Sequence, residues 1–154
     1  MNKIGLICVG ELKFKELKEL EKKYLQKIGR FMKLQPVILK DLNIRDEAAK
    51  KKKEGQMMLE QLDKGDFVIA LDEKGKKLDS IAFSRFLSDK LSYFPGRIIF
   101  LIGGFAGLAG LLDSRINLKL SFSEMTFAHD IFRVLFLEQL YRAFTIMKGI
   151  KYHR

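Results

Sequence analysis

The residues whose side chains are best suited to catalysis or ligand binding lie on a predicted helix over 129–147. His129 and Arg133 are four positions apart, so they share one face of that helix. Glu138 and Arg142 have the same spacing, and their opposite charges favour an ion pair. This pattern alone is equally typical of a core helix with an ordinary surface ion pair.

A short basic and aromatic segment, residues 148–154, follows this helix directly. It contains Lys148, Lys151, Tyr152, His153 and Arg154. Such a composition suits an RNA backbone and an unstacked base, because cations bind phosphates and aromatic rings stack on bases. The net charge of +10 also favours a polyanionic partner, although a basic protein without one stays open as an interpretation.

A glycine-rich segment at 103–107 follows an apolar run that is typical of a buried strand. Glycine lets a backbone approach a flat ligand closely, because it has no Cβ and tolerates positive φ. The spacing matches neither the dinucleotide fingerprint nor a P-loop, so a dinucleotide or nucleoside triphosphate site is disfavoured. From the spacing alone, a ligand-binding loop and a tight strand-to-helix turn are equally good interpretations.

Two further segments are weaker candidates for ligand or RNA binding. The hydroxyl-rich stretch 121–127 leads into His129, and a plain helix N-cap is the better interpretation of it in isolation. The four lysines Lys50–Lys53 are typical of a solvated helix face, with contact to RNA phosphates as the alternative.

Short apolar runs and helical patterns alternate along the chain and must position these segments. Strands are predicted at 4–9, 37–39, 67–71, 97–102 and 118–122, and helices at 17–28, 46–62, 80–91, 108–115 and 129–147. Asp46 and Ser80 are the predicted N-caps of the second and third helices. The alternation predicts an α/β fold, a single-domain, mostly parallel sheet with helices on both faces. Ligands bind beyond the carboxyl ends of such strands, hence in the loops after Leu71, Ile102 and Phe122.

Length and composition indicate which general classes of protein this chain does not resemble. The 154 residues suffice for one domain, predicted over 1–154, and no apolar run is long enough for a transmembrane helix. The first residues do not resemble a signal peptide. The single cysteine, Cys8, lies in an apolar run and is expected to be a buried structural thiol. No metal is predicted, because neither histidine has a second ligand at metal-binding spacing. These features fit a cytoplasmic protein.

Four motifs together resemble the RlmH family, bacterial rRNA large-subunit methyltransferases of the SPOUT superfamily. They are GG-x-x-GL at 103–108, S-x-S-x-M-T-x-x-H at 121–129, EQLYRA at 138–143 and the ending Tyr152-His153-Arg154. The order of elements fits along essentially the whole chain. The sequence departs from the family at Ala128, where proline is common, and at Phe105-Ala106 inside the glycine loop.

The resemblance implies a SPOUT-type fold with a C-terminal trefoil knot, a rare exception to the rules on chain connections. It also implies that the knot binds S-adenosyl-L-methionine, which favours the ligand interpretation of the glycine segment. The implied cofactor contacts are Leu71, Gly103, Gly104, Phe122, Ser123, Glu124, Met125, Thr126 and Phe127.

The implied reaction is methylation of N3 of a pseudouridine in a 23S rRNA stem-loop near the decoding centre, on the assembled ribosome. The family acts as a homodimer in which the last residues of one subunit complete the site of the other. His129 is then a candidate base or orienting group, since neutral imidazole accepts a proton near pH 7. Arg133 and Arg142 are candidates to stabilise negative charge or hold phosphate.

In the same scheme Tyr152 stacks on the target base, and His153 and Arg154 bind that base or its backbone. Three alternatives stay open. They are a SPOUT methyltransferase acting on another RNA such as tRNA, a non-catalytic RNA-binding dimer, and a structural dimerisation protein.

Overall fold

The computed structural model describes residues 3–104 and 107–154, and five parallel strands form its sheet. The strands stand in the order β2-β1-β4-β3-β5. Their bounds are β1 Ile4–Val9, β2 Val37–Leu39, β3 Phe67–Lys77, β4 Ile98–Ile102 and β5 Leu118–Ser121. The departures at Phe105 and Ala106 lie outside the described residues.

Helices cover both faces of this sheet. They are α1 Lys15–Ile28, α2 Glu47–Leu59, α3 Ser80–Tyr93, a 3₁₀ turn Gly110–Leu112 and α4 His129–Met147. One core cluster joins α1, α3 and α4 to a face of the sheet, and a second joins α2 and the 3₁₀ turn to the opposite face. The predicted parallel α/β sheet with helices on both faces is therefore confirmed.

Helix α4 packs the C-terminal part of the chain against the sheet. Phe136, Leu137 and Leu140 are completely buried, and the Phe136 ring lies 4.7 Å from that of Phe100 on the central strand β4. Burying a side chain of this size contributes about 1.5–3 kcal/mol. Helix α4 is therefore a core helix, and the packing fixes where both of its ends lie.

Two predicted elements need correction. The N-cap of α3 is Asp79 and not Ser80, because the Asp79 carboxylate accepts the Ala82 N–H at 2.7 Å while the Ser80 hydroxyl donates to Gln139. The helix predicted over 108–115 is only the 3₁₀ turn Gly110–Leu112. The other N-cap prediction is confirmed, since Asp46 accepts the N–H groups of Ala48 and Ala49.

Strand β3 extends well beyond the predicted 67–71 and contains an irregularity at its carboxyl end. Leu71 and Lys76 both pair with Leu120 of β5, so residues 72–75 bulge out of the ladder. A Cβ at Gly75 would lie 2.5 Å from the Lys119 carbonyl carbon, which leaves room for glycine alone. The bulge therefore adds a fixed loop to the edge of the sheet where ligands are expected.

The single cysteine is a buried side chain, as the sequence predicts. Cys8 is 1% exposed, and burial raises the pKa of its thiol to about 12. In the described ranges, no group of three or more His, Cys, Asp or Glu side chains could hold a metal ion. None of the described helices is both long and apolar enough to span a bilayer.

Candidate functional site

Three of the predicted ligand segments meet at one edge of the sheet. Strands β4, β3 and β5 are adjacent and parallel, with Ala70 paired to Leu101 and Leu71 paired to Leu120. The segments that follow these strands therefore leave the sheet side by side. Leu71, Gly103-Gly104 and residues 122–127 are thus brought together, as the alternation of elements predicts.

The glycine segment forms a tight turn in which the missing side chains matter. A Cβ at Gly103 would lie 2.6 Å from the carbonyl carbon of Gly107 and 2.8 Å from its oxygen. Gly107 has φ +81° and donates its N–H to the Gly104 carbonyl at 3.0 Å. Gly103 therefore has room for glycine alone, and this close approach is compatible with both the ligand-binding and the tight-turn interpretations.

The hydroxyl-rich segment does not cap α4, as its composition suggests in isolation. Ala128 occupies the N-cap position without a side-chain hydrogen bond. The Ser123 hydroxyl instead accepts the Met125 N–H at 3.0 Å, and the Thr126 hydroxyl donates to Glu73 at 2.8 Å. The N-cap interpretation is therefore wrong, because these hydroxyls hold the segment itself and bind the β3 bulge.

The side chains of this segment divide between the core and solvent. The Phe122 ring packs against Phe83 and Phe132 at 5.7 and 5.6 Å, so a cofactor would meet its backbone and not its ring. Met125 is 72% exposed and presents an apolar surface to the edge. Glu124 pairs with Lys77 at 2.5 Å, which lowers the pKa of the Glu124 carboxyl through the hydrogen bond and the opposite charge.

His129 lies in a separate small pocket of about 230 Å³. The pocket is lined by Val9, Lys13, Asp41, Lys50, Gly104 and His129. It opens beyond the carboxyl ends of β1, β2 and β4, next to the glycine turn. Lys50, the first lysine of the run at 50–53, therefore faces a cavity. The sequence suggested a solvated helix face or contact with RNA phosphates, and neither interpretation included a pocket.

An ion pair crosses one wall of this pocket. Lys50 Nζ lies 2.7 Å from Asp41 Oδ1, and that hydrogen bond lowers the pKa of the Asp41 carboxyl. The charges of Lys50, His129 and Lys13 add to the lowering. The pocket thus combines a fixed ion pair, an imidazole and a second lysine, all of which can bind the carbonyl and N–H groups of a nucleobase.

Arg133 is buried on the same helix and faces the protein interior. Its side chain is 3% exposed, and Nη1 donates to the Gly10 carbonyl at 2.9 Å. Nη2 donates to Glu21 at 3.2 Å, while Nε lies 2.9 Å from the other Glu21 oxygen without hydrogen-bond geometry. These contacts join α4 to α1 and to the end of β1, so they support a positioning role for Arg133. The catalytic role stays a prediction that no contact supports.

Replacing Arg133 by methionine should destabilise the fold by about 3–5 kcal/mol, because Glu21 would become a buried charge without its partner. The measurement is urea unfolding of the variant and of the control Arg85→Met, which removes an exposed arginine from α3. The double variant Glu21→Leu with Arg133→Met should recover part of the loss. A loss below about 1 kcal/mol in the single variant would contradict this account.

The predicted substrate-binding residues form a second cluster farther along α4. Glu138 Oε1 accepts from Arg142 Nη2 at 2.5 Å and from the Tyr152 hydroxyl at 3.0 Å. Arg142 Nη1 lies 3.2 Å from His153 Nδ1, and the guanidinium stands 4.7 Å over the Tyr152 ring. The Glu138–Arg142 pair is confirmed, and it holds the segment 148–154 against its own helix.

Electrostatics reinforce this cluster. The hydrogen bond from Arg142 to Glu138 raises the pKa of the guanidinium, and burial raises the pKa of the Tyr152 hydroxyl. Both groups therefore keep their protons throughout the physiological range. Arg142 stays a cation beside two aromatic or imidazole rings, which is an arrangement suited to RNA.

The two clusters are separate within one chain. Glu138 and Arg142 follow His129 by 9 and 13 residues on one continuous helix, so they lie about 14 and 20 Å along its axis. Tyr152 and His153 contact that far part of α4 and not the pocket. The structure therefore brings the predicted cofactor residues together, but it places the predicted substrate-binding residues elsewhere.

Comparisons with known proteins give a consistent result. The family model "Predicted SPOUT methyltransferase" matches residues 2–153. The chain is 39% identical to ribosomal RNA large subunit methyltransferase H of Caldicellulosiruptor saccharolyticus, covering 98% of this chain and 99% of that protein. The protein of the same name from Christiangramia forsetii is 40% identical over 97% and 98% of the two chains, and that of Clostridium tetani is 41% identical over 98% and 99%.

Among solved structures, the chain resembles the SpoU methyltransferase AviRb from Streptomyces viridochromogenes, solved in complex with AdoMet. The TM-score is 0.47 at 10% sequence identity, and the match covers 92% of this chain and 58% of that one.

Proposed function

Because the chain belongs to the SPOUT methyltransferase family, we propose that it methylates rRNA of the large ribosomal subunit with S-adenosylmethionine as the methyl donor. The observation that carries the proposal is the match, over nearly its whole length, to proteins named ribosomal RNA large subunit methyltransferase H. The meeting of Leu71, the glycine turn and residues 122–127 at one edge of the sheet is consistent with it.

The cofactor would be held at that edge by Leu71, Gly103, Gly104 and the segment 122–127. The residues fit a partly flat, partly apolar molecule, because the turn at Gly103 exposes backbone and Met125 adds an apolar surface. When bound, the cofactor supplies a methyl group on a sulfonium, which is already activated. The contribution required of this chain is therefore mainly alignment of the acceptor.

The acceptor that we propose is N3 of a pseudouridine in a 23S rRNA stem-loop near the decoding centre, presented by the assembled ribosome. The charge of +10 supports binding to RNA, and the pocket around His129 offers polar groups to a base. His129 would orient the base or accept its proton, and Arg142 would hold phosphate or developing charge. Tyr152, His153 and Arg154 would bind the target nucleotide.

A homodimer accounts for the separation of the two clusters. In one chain the segment 148–154 is bound to Glu138 and Arg142, which lie about 14 and 20 Å from His129 along the α4 axis, so a second copy would have to deliver it. The start of α4 carries an exposed apolar patch, in which Met125 and Phe127 lie just before the helix and Ile131 and Leu135 lie in its first two turns. Burial of this patch against a second copy would stabilise such a dimer.

We expect residues 1–154 to form one SPOUT domain with a C-terminal trefoil knot, acting in the cytoplasm. A methyltransferase specific for tRNA and a non-catalytic RNA-binding dimer are the alternatives. A structural dimerisation protein is a third, and salt-insensitive partner binding would favour it, since RNA binding weakens with salt.

The test is methyl transfer from labelled S-adenosylmethionine to ribosomes that lack this modification, with free rRNA and tRNA as parallel acceptors. We expect label only on ribosomes, recovered as N3-methylpseudouridine. Label in tRNA, or no label on any acceptor despite tight cofactor binding, would contradict the substrate and keep the fold. Binding of the cofactor would count against the non-catalytic alternative.

A further inference from the structure

A second cavity, of about 490 Å³, lies at the carboxyl ends of β1 and β2, and the proposed function does not use it. Lys13 and Asp41 line both this β1–β2 cavity and the pocket around His129, so the two share a wall. The expected cofactor residues follow β3, β4 and β5, which lie on the other side of β1 from β2. The β1–β2 cavity therefore continues the pocket of the target base and lies away from the expected cofactor.

The loop that forms one side of this cavity is held in a fixed position. Gly10 turns the chain with φ +80° and donates its N–H to the Leu39 carbonyl at 2.8 Å, which joins the end of β1 to the end of β2. The Gly10 carbonyl accepts from the buried Arg133 at 2.9 Å, and Leu12 is 2% exposed. The residues on either side of this leucine are exposed and both line the cavity, so their backbone is in place before any ligand binds.

The lining of the cavity combines apolar and cationic groups. Leu12, Ile38 and Leu39 form an apolar wall against which a base or a ribose can pack. Lys13 and Lys40 are exposed cations beside that wall. Neither lysine forms an ion pair within residues 3–104 and 107–154, which include every Asp and Glu of the chain. Both ammonium groups are therefore available to an anionic ligand.

The acidic groups of the cavity do not cancel this charge. Asp41 is already paired with Lys50, whose Nζ lies 2.7 Å from Oδ1. Glu11 is then the remaining carboxylate, and it can only accept hydrogen bonds, as from a ribose 2′-hydroxyl or a base amino group. Two lysines against one carboxylate leave a positive cavity, which suits a ligand with a phosphate as well as hydrogen-bond donors.

From this lining, and resting on the proposed function, we infer that the β1–β2 cavity binds the nucleotide that adjoins the target pseudouridine in the rRNA strand. Its base or ribose packs on the apolar wall, Lys40 binds phosphate, and Glu11 accepts a hydrogen bond from a hydroxyl or amino group. Because Lys13 lines both cavities, the phosphate that it binds is the one joining the two nucleotides. The cavity thus fixes the register of the strand, so that the target base is the one that enters beside His129.

The first test compares Lys40→Ala with Lys33→Ala. Lys40 directly follows β2, whereas Lys33 is an exposed lysine before β2 and so lies toward the opposite edge of the sheet. We expect Lys40→Ala to raise the KM for ribosomes about tenfold, with kcat and cofactor Kd within about twofold of wild type. The slope of log KM against log salt should fall by about 0.7–0.9, the value of one phosphate contact. Lys33→Ala should behave as wild type in every assay.

Cross-linking identifies the nucleotide in the cavity. Lys40→Cys introduces a thiol that can carry a photoreactive group, and the native Cys8 does not compete because it is 1% exposed. We expect the group to cross-link to a 23S rRNA nucleotide next to the methylated pseudouridine. Lys33→Cys, labelled in the same way, should not cross-link there.

Several results would contradict this assignment of the cavity. A ribosome KM of Lys40→Ala within twofold of wild type would overturn it, as would cross-links to rRNA remote from the target. A tenfold weaker cofactor Kd, or loss of the dimer in sedimentation, would also overturn it, because the cavity would then hold the cofactor or a second copy. Wild-type protein that binds cofactor and transfers no methyl group to ribosomes would instead overturn the proposed function.

Discussion

Replacing Tyr152, His153 and Arg154 together by alanine should reduce methyl transfer to ribosomes at least 100-fold while cofactor binding is retained. Stacking of one base on an aromatic ring contributes about 1–3 kcal/mol, and a hydrogen bond to a charged group about 1.5–3 kcal/mol. Loss of both contacts therefore amounts to about 2.5–6 kcal/mol, a range that begins close to the roughly 2.7 kcal/mol that corresponds to 100-fold. Kcat/KM on ribosomes, cofactor Kd and Tm are the measurements.

The fold should survive this change because Tyr152 and His153 contact half-buried residues of α4 outside the core, and Arg154 is exposed. The matched control is Lys22→Ala with Lys23→Ala, which removes positive charge from an exposed face of α1. That control should retain activity within about threefold. Equal losses in both variants would mean that general charge, and not this segment, carries RNA binding.

The same variant tests whether the segment acts on the partner's site. Co-refolding it with a Gly103→Ala chain gives heterodimers. In each heterodimer, one of the two sites combines the intact cofactor-binding residues of one chain with the intact segment 148–154 of the other. With random mixing, about a quarter of all sites should regain activity. If the segment acted within its own chain, mixing would restore nothing.

Gly103→Ala should weaken S-adenosylmethionine binding at least 100-fold. The added Cβ would lie 2.6 Å from the Gly107 carbonyl carbon, a distance that side chains do not tolerate against backbone. The turn must therefore open, and the backbone that would contact the cofactor moves with it. Titration calorimetry of the cofactor is the measurement.

Gly65→Ala is the matched control, because nothing lies within 4 Å of the Cβ position at Gly65. It should bind cofactor as wild type does. The Gly103 variant should also lose about 1–3 kcal/mol of stability from overpacking, so binding is measured well below its Tm. Cofactor affinity within threefold of wild type would show that Gly103 is not part of the binding site.

Local patterns predicted most of the fold because each strand and helix is encoded by its own periodicity. The runs at Ile4–Val9 and Val37–Leu39 and the helix His129–Met147 agree with the structure in their bounds. The extension of β3 to Lys77 was missed, because residues after Leu71 are polar and their pairing depends on a bulge against β5. The cap at Asp79 was missed because Asp and Ser are both good N-caps and stand side by side.

The pocket was only partly predictable. His129 stands out by its type and position, whereas Lys50 belongs to an ordinary charged helix in the sequence. Its place in the pocket depends on α2 packing beside the glycine turn, and periodicity does not encode such long-range packing. Arg133 shows the reverse case, since its spacing from His129 suggested a site and its contacts proved internal.

The strand order has a consequence for where new specificities could arise. From β1 the chain passes to α1 on one face of the sheet, and from the adjacent β4 it passes to the 3₁₀ turn on the other face. The two connections diverge, so a crevice opens between the carboxyl ends of β1 and β4, where Val9 and Gly104 line the pocket. This topological switch point exists whatever residues line it. Substitutions at Lys13 or Asp41 could therefore alter which base is accepted without any change to the scaffold.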